Sequence, residues 1–117
     1  MKLLTTVVVS AIAAASPAHG RTARCVVTVE GRLILNGPCD FRTEDREGSF
    51  SMAALNPQAW LTTDIGTLSL RVTKTGFGEV FVVGERASRW GTARRSKSPK
   101  ACWIGSAGNF TICAYRA

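Results

Sequence analysis

The last third of the chain carries Arg86, Arg89, Arg94, Arg95, Lys97, Lys100 and Arg116 without one acid among them. Between Arg21 and Glu85, seven basic residues face eight acidic ones and nearly cancel. The positive field therefore belongs to one segment. Guanidinium forks can pair with phosphate or carboxylate in bidentate fashion, and an indole among them offers a flat face for stacking. These residue types predict an anion-binding site made by Arg86, Arg89, Trp90, Arg94, Arg95, Lys97 and Lys100. Its partners would be anionic polymer or lipid headgroups, held most strongly at low salt. The competing reading is a charged loop that keeps a small domain soluble. No motif for reading a base sequence is present, so binding to nucleic acid would be nonspecific and salt-dependent.

Other chemistry finds few residues. The single histidine, His19, lies at the edge of an apolar leader, so His-based nucleophile pairs and His-ligated metals lack their imidazole once the leader is removed. Cys25, Cys39, Cys102 and Cys113 have no Cys-x-x-Cys couple, which argues against a four-thiolate zinc site. Asp40, Glu44, Asp45 and Glu47 are interleaved with Arg42 and Arg46 and read as a solvated loop, not as an acid/base pair. Ser96 and Ser98 stand beside Lys97 and Lys100, in an exposed run where nothing would lower a lysine pKa. In Gly76-Phe77-Gly78, Phe81 replaces the third glycine of a phosphate loop, and a turn is expected there. The expectation is a protein that is not an enzyme and needs no metal or cofactor.

Residues 1–20 have the layout of a signal peptide: Lys2, an apolar run from Leu3 to Ala15, then Ser16, Ala18 and Gly20 as small residues at two alternative cleavage points. The run is shorter than the roughly 20 residues that span a bilayer. Residues 21–117 then form one domain, exported to the periplasm or secreted. An even number of cysteines in a short exported chain favours disulfides, and the pairing Cys25–Cys39 with Cys102–Cys113 is preferred because each couple brackets a hairpin.

The elements that must position these residues are short strands. In ACWIGSAGNFTICAYRA a loop at Ser106–Asn109 sets Cys102 opposite Cys113 and Trp103 opposite Ile112, with Trp103, Phe110, Ile112 and Ala114 on the core side. In CVVTVEGRLILNGPC a three-residue loop, Gly31 to Leu33, would set Cys25 opposite Cys39, and Gly37-Pro38 would end the strand. Phe41 to Gly48 reads as an exposed connection, and Ser49–Ala54 as a strand. Ala59–Thr63 reads as a weak strand anchored by Trp60. Thr67–Thr73 alternates apolar and polar residues, and Glu79–Gly84 is apolar on both faces, suited to the middle of a sheet. Ser88–Ala93 reads as an edge strand within a mobile basic loop. The fold class is all-β: a small antiparallel sandwich or partly open barrel of about seven short strands with two disulfides, monomeric.

The tail, Trp90-Gly91-Thr92 with Arg94-Arg95, Ala101-Cys102-Trp103 and Ile112-Cys113-Ala114-Tyr115-Arg116, resembles that of uncharacterised small exported bacterial proteins ending in a Cys-Trp to Cys-Ala-aromatic-Arg pattern. Cys25, Gly37-Pro38-Cys39 and Gly48-Ser49-Phe50 are similar too. The resemblance implies a location and a construction, and no activity. The chain departs from it by carrying the basic stretch Arg94–Lys100 where a shorter, histidine-bearing segment is expected. Two functions are consistent with these readings: a non-enzymatic module that binds an anionic envelope component, or an inhibitor that presents a rigid loop to a secreted hydrolase such as a lysozyme or protease.

Overall fold

The computed structural model describes residues 20–117, so the leader reading and His19 lie outside the described residues. Eight antiparallel strands follow one another around a closed barrel: β1 (Arg21–Val29), β2 (Arg32–Thr43), β3 (Phe50–Ala53), β4 (Thr67–Lys74), β5 (Phe77–Val83), β6 (Ala87–Arg95), β7 (Cys102–Gly105) and β8 (Phe110–Arg116). Closure comes from β8 pairing with β1, Ala23 opposite Arg116 through Val29 opposite Phe110.

Alternation along each strand fills the barrel. Cys25 and Val27 of β1, Phe50 and Met52 of β3, Leu68 and Leu70 of β4, Val80 and Val82 of β5, Trp103 of β7 and Phe110 and Ile112 of β8 all point inward and are buried. Burial of such side chains is worth about 1.5–3 kcal/mol each. One wet face is then enough, which is how the polar segment from Ala87 to Arg95 becomes a strand: Ala93 and Trp90 supply its inner face while Arg89 and Arg94 remain outside.

The closing hairpin matches its expected register, with Cys102 opposite Cys113 and Trp103 opposite Ile112. The disulfide lies on the barrel's outer wall under Tyr115, whose hydroxyl is 3.3 Å from Cys102 Sγ. The first hairpin differs from expectation. Its turn is Glu30-Gly31, both in the left-handed region (φ 53° and 78°), the two-residue geometry whose twist suits paired strands. A bulge at Ile34 then shifts the register, so Cys25 faces Gly37 and Cys39 faces Ala23. The two cysteines meet diagonally across the inner face, and their disulfide is fully enclosed in the core.

Other expectations also change. Pro38 does not end β2, because the side of the strand away from β1 is unpaired there and no N–H is needed. Phe41 leaves the exposed connection for β2 and stacks on Phe50 with ring centroids 5.0 Å apart. Ala59–Thr63 is loop, folded on itself by Ala59 N–H to Asn56 O and Thr62 N–H to Ile65 O, both 2.9 Å. β5 is central, yet its outer face is open, with Val83 half exposed. β6 pairs with β5 along its length but with β7 only at Ala93–Arg95, so Ser88–Thr92 keeps the edge character expected of it while Ala93–Arg95 is built into the barrel wall.

Candidate anion-binding site

Strand direction decides where each charge goes. The start of β1, the end of β8, the β2–β3 connection, the β4–β5 turn and the β6–β7 loop fall at one end of the barrel, the tail end. The Glu30-Gly31 turn, the long β3–β4 connection and the remaining turns fall at the opposite, mouth end. The basic segment therefore does not make one patch. Arg86 sits at the mouth end, whereas Arg95, Lys97 and Lys100 sit at the tail end; at about 3.3 Å per residue β6 separates Arg86 from Arg95 by roughly 25–30 Å.

Two members of the expected site are already engaged. Arg89 donates from Nε and Nη2 to Glu79 Oε2 at 3.2 and 2.7 Å, an exposed pair that cancels its charge locally. Trp90 is half-buried, tilted against Phe110 at 5.4 Å between centroids, and faces the barrel mouth instead of the cations of the tail end. Sequence alone gave no sign of the first contact: it depends on a bulge at Val80/Phe81 that brings residues ten positions apart onto one face.

The other cations converge. Arg95 N–H donates to Gly76 O at 2.9 Å, holding the β6–β7 loop against the β4–β5 turn and Lys74. Arg95 Nε donates to Lys100 O at 2.8 Å, and its guanidinium lies over the buried Trp103 ring at 5.6 Å. The loop is closed by Ser96 N–H to Cys102 O and Cys102 N–H to Pro99 O, while the buried Ser96 hydroxyl accepts from Ser98 N–H. It is thus a tied loop, not a loose one. Ala114 N–H donates to Ala101 O at 3.1 Å, which brings Lys100 beside the end of β8 and Arg116; Arg21 lines the same recess as Arg116.

An arc of seven cations results: Lys74, Arg94, Arg95, Lys97, Lys100, Arg116 and Arg21. The two ion pairs among the described residues, Asp40–Arg42 and Glu79–Arg89, include none of them. Lys74, Arg116 and Arg21 were missed by reading a continuous run, since only barrel closure places them beside Arg95. Of the acids near this end, Asp40 is paired with Arg42 on β2, and Glu44, Asp45 and Glu47 lie on the β2–β3 connection. There Glu44 accepts from the Ser51 hydroxyl at 2.7 Å, and Asp45 accepts from Glu47 N–H and Ser49 N–H. The Ser49 hydroxyl, then these amides, hold the Asp45 carboxyl below its ordinary value. Glu47 is the one acid that reaches the groove lined by Lys74, Arg95 and Trp103, about 390 Å³ in volume. Such an arrangement can hold a multivalent anion by charge and N–H donors. It offers no paired carboxylates and, among the described residues, no cluster of metal ligands. No family model, curated protein or solved structure matches this chain.

Proposed function

We propose that this chain is an exported, non-enzymatic binding module that engages an anionic envelope component through the tail end of its barrel. The observation that carries the reading is the arc of cations from Lys74 to Arg116 and Arg21, none joined to a carboxylate. Two disulfides in a small β domain are compatible with an extracellular or periplasmic location. Retention on heparin or on anionic vesicles should fall steeply with salt. It should fall further in the Arg94→Ser, Lys97→Ser, Lys100→Ser variant and stay near wild type in Arg89→Ser, whose partner Glu79 already neutralises it. Equal loss in both variants rejects the site. A second reading, inhibition of a secreted hydrolase, is favoured by the tied Ser96–Lys100 loop, because a preorganised loop loses less entropy on entering a cleft.

A further inference from the structure

β3 is only four residues long and pairs with Asp40–Thr43 of β2. The preceding part of β2, Arg32–Cys39, pairs with β1 on one side and has no backbone partner on the other among the described residues. Natural sheets blunt such an edge with charge or proline, since its free N–H and C=O groups invite another strand. Here Pro38 blunts the far end and the Ile34 bulge bends the strand, but Leu33 to Gly37 carries no charge, and Leu33 and Ile34 are 57% and 38% exposed.

The β3–β4 connection does not cover this edge. It satisfies its own backbone, with Thr62 Oγ1 accepting from Asp64 and Ile65 N–H and Gly66 N–H donating to Val83 O at 2.7 Å, and it is pinned by buried Leu61 and Ile65. A groove of about 620 Å³ is left between Leu33-Ile34 and Thr62–Ile65, floored by Val29, Val82 and Trp90.

We infer that this groove accepts an extended segment of a partner polypeptide, added as a strand to the free edge of β2. A strand edge presents donors and acceptors in alternation, a pattern that another polypeptide backbone matches and that an acyl chain or a polyanion does not. The apolar floor takes every second side chain of the guest. Arg32 and Asp64 stand on the rim, neither in an ion pair, so the rim is complementary to a segment bearing one acid and one base. That balanced rim separates this site from the tail end, where cations predominate. From Arg32 to Gly37 the edge is long enough for about six guest residues.

Selection of short random peptides against the purified, oxidised protein tests the inference. Enriched peptides should alternate apolar and polar residues, bind with little salt dependence and slow amide exchange along Leu33–Gly37. Ile34→Lys, at an exposed position, should weaken them by about tenfold or more by setting an ammonium against the guest's apolar side chain. Heparin retention and the melting temperature should not move, which keeps the outcome independent of the tail-end site. Absence of an alternating pattern, or equal binding to Ile34→Lys, overturns the inference. So does a wild-type dimer that dissociates in Ile34→Lys and ignores the peptides, because the occupant would then be a second copy.

Discussion

The two disulfides close loops of nearly equal length but sit in different surroundings, so removing each should cost different amounts for a reason the structure supplies. Cys25–Cys39 spans a sequence separation of 14 and Cys102–Cys113 one of 11. Chain-entropy arguments value either at about 3 kcal/mol, the shorter loop only a few tenths less. Cys25 and Cys39 are wholly enclosed in the core cluster, whereas Cys102 and Cys113, also buried at 5% exposure each, lie outside that cluster on the outer wall beneath Tyr115. Replacing the inner pair with alanine leaves two sulfur-sized spaces that the packed core cannot refill, whereas at the outer wall Tyr115 and solvent can close over the gap; the inner spaces then cost up to about 1.5 kcal/mol more, each counting as about one buried methylene. In a domain of this size 1 kcal/mol shifts the melting temperature by about 4–8 °C. Cys102→Ala/Cys113→Ala should melt ~12–24 °C below wild type, and Cys25→Ala/Cys39→Ala several degrees lower again. Calorimetric melts of both variants, repeated in sulfate to keep the weaker one folded, measure the difference. Equal losses, or the larger loss for the outer pair, would refute the assignment of Cys25–Cys39 to the interior. Free thiols in the oxidised wild type, or a link between Cys25 or Cys39 and either later cysteine, would refute the pairing itself.

Asp45 should titrate below its ordinary 3.8, chiefly through the Ser49 hydroxyl and the Ser49, Glu47 and Gly48 amides. A carboxyl lowered on folding stabilises the folded state above its unfolded pKa, and that contribution is lost as pH falls through the folded value. Carboxyl NMR should follow the midpoint upward in Ser49→Ala; an unmoved midpoint removes Ser49 as the cause. If the tied β6–β7 loop inhibits a hydrolase, micromolar protein should depress at least one member of a panel of lysozymes and proteases, and Lys97→Ser should relieve it. A panel left fully active eliminates that reading.

What could be seen in the sequence was local. In the Cys102–Cys113 hairpin, alternation, a short loop and paired cysteines coincide, and no bulge disturbs them, so its register was countable. The Cys25–Cys39 pairing was countable too, but its register was not. A two-residue turn at Glu30-Gly31 and a bulge at Ile34 together shift the partners, and no residue type announces a bulge without its neighbouring strand. Pro38 was misleading because proline ends a strand only where its missing N–H is wanted; on a free edge it is not. That free edge was itself invisible, being the consequence of a β3 that stops at Ala53.

The division of the charges had a single cause, the parity of the strands. In an up-and-down barrel, successive connections alternate between the two ends, so inserting or deleting one strand sends every later connection to the opposite end. A strand at Ala59–Thr63, which the sequence suggested, would have carried the Ser96–Lys100 loop to the mouth, away from Arg21 and the β2–β3 connection. With that segment as a self-bonded loop, β4 starts at the mouth, and Arg95 N–H meets Gly76 O at the tail end. The same count leaves Arg86 with Glu85 at the mouth and joins Lys74 and Arg116, distant in sequence, to Lys97 and Lys100. Six residues of charge pattern can be read by eye, but the end of the barrel on which they act depends on whether Trp60 anchors a strand or, as found, packs in a loop beside Gly66 and Gly84.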